Sequence, residues 1–222
     1  MNFFTRVRDN IKLSFLRHRV QKNYNVKIFD FNRGDLNDAY KLRYRIYCIE
    51  CKYLSQANYP KKMENDVYEQ HSTHFLLYKS NSKDLIGYVR LVKPNSQGLP
   101  IEKDFGLKIE KSKNINEGLL EVSRLCIDPD YRYSASGNQG ILLLLLKSVY
   151  KYSINNKYNL LYAAIDSNVY KKLNKFGFSF NVLGASKYYM GSESIPVLLN
   201  LNHESIWLKI VNPALWSFLN SN

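Results

Sequence analysis

The chain has 222 residues, of which 45% are hydrophobic and 14% aromatic, enough to bury a sizeable core and to exclude general disorder. A formal net charge of +13 predicts an acidic partner, whether a nucleic acid, an anionic membrane surface or an acidic protein. No apolar run approaches the roughly 18 residues of a membrane span, and "ILLLLL" at 141–146 is the longest.

In chain order, residues 3–20 predict a basic amphipathic helix, with Phe4, Val7, Ile11 and Phe15 at helical spacing among Arg6, Arg8, Lys12, Arg17 and Arg19. "NVKIFDF" at 25–31 reads as a first strand. "DLNDAYKLRYRIYCIECKYL" predicts a helix capped by Asp35, with Ala39, Leu42, Ile46 and Ile49 on one side. "HFLLYKSNSKDLIGYVRLV" predicts a β-hairpin turning at "SNSKD". Residues 93–118 are irregular, with a short helix near their middle.

A strand then runs through "EVSRLCIDPDYR" at 121–132, followed by the polar loop "DYRYSASGNQG" and the helix "ILLLLLKSVYKYSINN". "YNLLYAAID" is an apolar strand, "SNVYKKLNKFGF" a short helix ending at Gly177, and "SIPVLLNL" a last strand. Residues 203–219 predict one final apolar helix holding Trp207, Pro213 and Trp216. The order defines an α/β domain with a mixed sheet flanked by helices. The expected divisions are a basic helix at 1–24, the α/β domain at 25–200 and an apolar helix at 201–222.

Three cysteines (Cys48, Cys51, Cys126) form no disulfide framework, and Cys48-x-x-Cys51 lacks a second ligand pair for zinc. His71 and His74 beside Asp66 read as packing or hydrogen-bonding residues, so no metal is expected. The +13 charge comes without a helix-turn-helix, zinc or RNA-binding signature, which counts against nucleic acid. With no signal-peptide centre at the N-terminus, a cytoplasmic location is expected, with possible contact to a membrane surface.

The loop before "ILLLLL" leaves backbone N–H groups accessible at a helix N-terminus, a place suited to phosphate. The sequence of a strand ending in "IDPDYR", this loop and helix, "LLYAAID" and "KKLNKFGF" resembles the GNAT acyltransferase fold. In that fold two strands splay and a pantetheine arm fills the gap. The resemblance implies that Cys126, Ile127, Arg132, Ser136, Gly137, Asn138 and Gly140 meet the acyl thioester.

Four further elements, "LRYRIYCIECKYL", "MENDVYE", "GYVRLV" and "EVSRL", come in the order seen in acyl-homoserine-lactone autoinducer synthases and N-acyl amino acid synthases. The stretch is similar also to exosortase-associated acyltransferases, through "RYRIYCIE", the spacing of His74 and "LPIE". The resemblance covers about residues 36–180. Arg43, Tyr47 and Tyr53 match an arginine followed four and ten residues later by aromatics. Asp66 and Glu69 match two acids three apart, Arg90 an arginine on a strand, and Glu121, Ser123 and Arg124 the Glu-x-Ser-Arg element. Glu69 stands where the lactone synthases usually have Asp, and Tyr53 where they have Trp, which counts against lactone synthesis.

The implied activity is transfer of a fatty acyl group from an acyl-carrier-protein or CoA thioester to the amine of an amino acid, with no permanently bound cofactor. Glu121 is the candidate base and Arg124 its catalytic neighbour, expected to favour the Glu121 anion. Arg43, Tyr47, Tyr53, Asp66, Glu69, Arg90 and Ser123 are candidate substrate-binding residues, and the charged ones double as a structural network. An acidic acyl carrier protein is the expected partner, docking on basic residues such as Arg6 to Lys22 and Lys147 to Lys151. The alternatives are a homoserine-lactone synthase using S-adenosylmethionine, or a non-catalytic basic binding module.

Overall fold

The computed structural model describes residues 23–109, 118–132 and 138–221. The helix expected at 3–20 lies outside the described residues, as do Ser136 and Gly137. Strands β1 (Tyr24–Asp30), β2 (Ser72–Lys79), β3 (Leu85–Val92) and β4 (Gly118–Ile127) form a continuous antiparallel run. The β2–β3 hairpin turns where expected, and the Ser82 hydroxyl donates to Asp84 at 2.8 Å within the turn. β4 pairs in parallel with β5 (Tyr158–Asp166), which pairs antiparallel with β8 (Ser192–Asn200). The short β6 (Asn181–Val182) and β7 (Lys187–Tyr189) both add to β8. The sheet is mixed, as expected.

β2 and β3 are buried over nearly their whole length because helices cover both faces. On one face lies α1 (Asn37–Tyr44), which with its flanking residues inserts Leu36, Ala39, Leu42 and Ile46 against Leu76 and Tyr88. On the other lies α4 (Asn138–Asn155), whose residues Ile141 to Leu145 are all buried. A helix apolar on every side must be enclosed, and α4 is packed between the sheet and the C-terminal helices. Two short helices, α2 (Pro100–Phe105) and α3 (Pro129–Arg132), flank the two ends of β4. α5 (Ser167–Phe176) starts at Asp166, whose carboxylate accepts the Asn168 and Val169 N–H groups, and ends at Gly177 in the left-handed region at φ 100°.

Two expectations need correction, and one segment without an assignment gains one. The helix predicted through residue 54 is α-helical only to Tyr44 and then widens into a π-turn over Arg45–Glu50, where Cys51 N–H reaches back to the Ile46 carbonyl. The single C-terminal helix is two, α6 (Leu201–Val211) and α7 (Pro213–Asn220). Pro213 has no N–H to continue α6 and instead opens α7, while the Asn212 side chain accepts the Leu215 N–H at 3.1 Å. The "KYYMGSES" segment, unassigned from sequence, is the β7–β8 hairpin, with Met190 at φ 47° and Gly191 at φ 78° in its turn.

Both C-terminal helices contribute Leu208, Leu215, Phe218 and Leu219 to the main core. Lys147 is buried and donates to the Ser221 hydroxyl at 2.8 Å, and Lys151 donates to the Ser221 carbonyl at 2.8 Å. Two of the lysines expected to dock an acidic partner thus tie down the end of α7. Leu208 has no exposed surface; Leu208→Ala is expected to lower unfolding stability by about 2–5 kcal/mol, read from the urea midpoint. An unchanged midpoint would show that α6 is not part of the cooperative core.

Candidate active site

β4 and β5 are paired only from Gly118↔Tyr158 to Glu121↔Tyr162. β4 continues to Ile127 and β5 to Asp166 without pairing further, so the strands part immediately after Glu121. A cavity of about 630 Å³ occupies the wedge. Its inner part is apolar, walled by Leu146, Val149, Leu173, Phe178, Phe180 and Leu199. Glu121, Ser123, Arg124, Tyr47 and Tyr53 line its polar part.

On the β3 side β4 carries a bulge. Tyr88 faces Cys126 and Arg90 faces Ser123, so Arg124 and Leu125 together oppose Val89. Arg124 sits in the left-handed region at φ 55°, a conformation that a long side chain rarely adopts. The bulge re-aims its guanidinium toward the α1 side of the sheet. There Nη2 lies 3.2 Å from Glu64 and 3.0 Å from Asp66.

These contacts belong to a cluster of three arginines and three carboxylates. Arg90 grips Asp66 with two hydrogen bonds of 2.7 Å, holds Glu69 at 2.7 Å and donates from Nε to the Ser123 hydroxyl at 2.9 Å. Arg43, fully buried, pairs with Glu64 and lies 2.8 Å from Glu69. Burial opposes charge on Asp66 and Glu64, but the guanidinium hydrogen bonds and charges outweigh it and hold both carboxyls below their usual range. The same pairing outweighs burial at Arg43 and Arg124 and keeps both protonated.

His74 completes the layer. Arg43 donates to the Tyr88 oxygen at 3.3 Å, so the Tyr88 hydroxyl proton is directed to His74 Nδ1 at 2.7 Å. Nε2–H then donates to the Glu69 carbonyl at 3.3 Å. Burial lowers the His74 pKa to about 4, and the ring is a neutral spacer in the network.

Glu121 stands apart from this cluster. It is 3% exposed, and Oε2 accepts the Ile101 N–H in the first turn of α2 at 2.8 Å. Arginine neighbours do favour its anion, Arg90 more than Arg124, whose guanidinium is engaged by Glu64 and Asp66. Burial outweighs them and, against the further pull of the Ile101 N–H, pushes the Glu121 carboxyl up to about 8.

The remaining sequence-predicted residues fall into place as follows. Tyr47 stacks on Tyr53 with ring centroids 6.4 Å apart, and its hydroxyl donates to the Leu125 carbonyl at 3.3 Å. Cys126 and Ile127 line the wedge, and burial raises the Cys126 thiol to about 12, which removes it as a nucleophile. Arg132 binds both Glu50 oxygens, at 2.9 and 3.1 Å, and the Ile127 carbonyl at 2.8 Å. Asn138 and Gly140 lie in the first turn of α4.

Sequence reasoning missed Glu64, although it begins the acidic run of "MENDVYE". It missed also the hairpin tip, where Met190 Sδ receives Arg124 Nη1 at 3.3 Å. A side chain at Gly191 would collide with the Tyr53 ring, so glycine is required there both for its φ and for the close approach. The signal available was the "MG" turn between β-rich residues.

Comparisons with known proteins agree with this geometry. Residues 42–141 match the model of the acetyltransferase (GNAT) domain family. The acyl-homoserine-lactone synthase LasI superposes with a TM-score of 0.67 at 18% identity, covering 86% of this chain and 95% of that one. FeeM, an N-acyl amino acid synthase from uncultured soil microbes, gives a TM-score of 0.61 at 17% identity, covering 83% and 93%. BjaI, a CoA-dependent acyl-homoserine-lactone synthase solved with SAM and isopentyl-CoA, gives 0.59 at 16%, covering 82% and 79%. No curated protein matches by sequence. The chain has the GNAT fold, and the family match spans residues 42–141. At these identities the likeness to the solved synthases is one of fold.

Removing one cation from the cluster should expose its electrostatics. Arg90→Gln leaves Asp66 and Glu69 facing each other without their bridge and is expected to cost about 3–5 kcal/mol. Because Asp66 and Glu64 have lowered pKa values, their contribution is complete above about pH 4.5 and is lost as pH falls through the folded-state values. The wild type should therefore resist acid to below the ordinary carboxylate range, and Arg90→Gln should unfold at higher pH in a circular-dichroism acid titration.

Proposed function

We propose that the protein is an N-acyltransferase that moves a fatty acyl group from an acyl-carrier-protein or CoA thioester to the amine of an amino acid. The observation that carries this reading is the wedge between β4 and β5, apolar within and bearing a buried carboxylate where the strands part. Its volume suits a ligand with a long apolar part. The thioester tail would enter between the strands, its acyl chain would lie against Leu146, Phe178 and Phe180, and its carbonyl would sit near the bulge. Backbone N–H groups on the open edge of β4 are suited to polarise that carbonyl.

The amine nitrogen attacks the thioester carbon, forming the C–N bond and placing negative charge on oxygen. Glu121, directly or through one water, takes the proton that the nitrogen loses. The intermediate then collapses and the C–S bond breaks. The leaving thiolate takes up the proton that Glu121 accepted, directly or through water, giving the free thiol and restoring the carboxylate. A carboxylate with a pKa of about 8 is a better acceptor at neutral pH than an ordinary glutamate. Arg124 would act at the mouth, where its Nη1 donates to the Met190 thioether and, among the described residues, to no oxygen. The chain's net charge of +13 favours an acidic carrier protein as donor, in the cytoplasm where such carriers work.

Lipid mass spectrometry of cells with and without the protein should reveal N-acyl amino acids; a homoserine-lactone head group would overturn the assignment. With the purified enzyme, kcat should rise with pH through about 8, since the active form of Glu121 is the anion. Glu121→Gln should lower kcat by about 10²–10⁴ and remove that limb of the profile. Retention of the wild-type rate would sink the base assignment. The variant should also be the more stable protein at alkaline pH. A carboxyl whose folded pKa is raised keeps its contribution below about pH 4.5 and loses it as pH rises through 8.

A further inference from the structure

The inner stripe of α6 is Leu201, Glu204 and Leu208, all buried. Its outer stripe is His203, Ile206, Trp207 and Ile210, at the i, i+3, i+4, i+7 spacing of one helical face. Ile206 is 68% exposed, Ile210 62% and Trp207 40%. Exposed large apolar residues clustered on one helix face are a signature of a surface that meets something apolar.

The exposed charges on α5, α6 and α7 have one sign. α6 and α7 contain a single carboxylate, Glu204, and it is fully buried, accepting the Ser179 N–H at 3.2 and 3.3 Å. Exposed Lys209 lies on α6 itself, 5.3 Å from the Trp216 ring. Exposed Lys171 and Lys175 lie on α5, whose end is joined to α6 by two side-chain hydrogen bonds. Trp207 donates to the Gly177 carbonyl at 3.0 Å, and Asn212 donates to the Phe176 carbonyl at 2.8 Å.

We propose that the outer face of α6 is a docking surface for an anionic lipid bilayer. Ile206, Trp207 and Ile210 enter the headgroup boundary, and Lys209, Lys171 and Lys175 meet the anionic headgroups. A helix with an apolar stripe, a tryptophan and flanking lysines is the arrangement that lies in the plane of a membrane interface. A second copy of the chain fits less well. Three side chains, one of them already more than half covered, fall short of the roughly 800 Å² per partner of a standard protein interface.

The face is also coupled to the wedge. The Trp207 and Glu204 bonds fix residues 177–179, and Phe178 and Phe180 wall the cavity. Resting on the acyl-transfer reading, this places the acyl chamber beside the bilayer that would accept an acylated product. Binding itself does not depend on turnover, so the two ideas can fail separately.

The test is flotation of the full-length protein with phosphatidylcholine vesicles, with or without added phosphatidylglycerol, in the absence of substrate. Binding is expected only to the anionic vesicles, and it should weaken as salt rises. The double variant Ile206→Ser/Ile210→Ser is expected to bind about tenfold less or weaker, with an unchanged Tm because both positions are exposed. Since the chain has two tryptophans, Trp216→Phe leaves Trp207 as the only reporter, and its emission should shift to the blue on binding. Failure to bind anionic vesicles, or equal binding by the double variant, would overturn the proposal. So would equal binding to neutral vesicles, or a dimer in sedimentation that the double variant dissolves. Turnover of a short-chain acyl thioester without vesicles should be the same in wild type and double variant; its absence from wild type would sink the acyltransferase activity and leave the vesicle result standing.

Discussion

The parting of β4 from β5 after Glu121↔Tyr162 is the constraint on which the rest depends. A strand edge withdrawn from water leaves its backbone groups short of partners, and each one left unpaired is costly. Here side chains of the α1 lobe and of α3 stand in for the missing strand. The Tyr47 hydroxyl takes the Leu125 carbonyl, and the Arg132 guanidinium takes the Ile127 carbonyl. Arg132 is itself held by Glu50 at the end of the π-turn. The lobe before β2 is therefore what allows the sheet to open, and the π-turn is what brings Tyr47 and Glu50 to their posts.

That lobe is fastened by charge. Three arginines face three carboxylates, so the cluster is neutral as a whole, yet withdrawing four of these ions fully and Arg124 and Asp66 largely from water is expensive compared with packing hydrocarbon of the same volume. Stability alone does not call for such an arrangement. Geometry does: the bidentate Arg90–Asp66 pair fixes the loop before β2 against β3, and Arg124 carries the connection to β4 through a left-handed backbone. The bulge, the strained φ and the ion pairs support one another. None would persist without the other two.

Much of the fold was legible in the residues. Alternating and continuous apolar runs located β2 to β5 and β8, and the unbroken leucines of α4 marked an enclosed helix. What escaped had physical reasons. A π-turn keeps nearly the same apolar spacing as an α-helix over six residues, so periodicity through Ile46 and Ile49 could not reveal it. β6 and β7 are two and three residues long, too short to show a pattern. Pro213 was visible, but a proline can kink a helix or begin a new one, and the Asn212 cap decided for the second. At the site, Glu121, Ser123 and Arg124 were visible as a motif, while the place where strand pairing stops has no signature in β4 itself. The pairing preferences of residues 118–121 and 122–127 are alike, and the break came into view only through resemblance to a fold in which it occurs. Glu64 was overlooked for a different reason. In a run of acids, composition does not say that every one turns inward.

The direction of the Glu121 shift joins these threads. Its position beside an arginine in sequence suggested a stabilised anion. Arg124 does favour the anion, but Glu64 and Asp66 engage its guanidinium, and burial is the dominant influence. Its strongest opposing partner is the Ile101 N–H in the first turn of α2, so a six-residue helix in an otherwise irregular segment helps set the basicity of the group. A ligand filling the wedge would exclude more water from the carboxylate and strengthen its affinity for a proton. In the proposed reaction the slot for an apolar chain and the base beside it would therefore not be separate devices. Dryness would serve the first by lowering the free energy of the buried chain, and the second by keeping a carboxylate avid enough to take a proton from nitrogen.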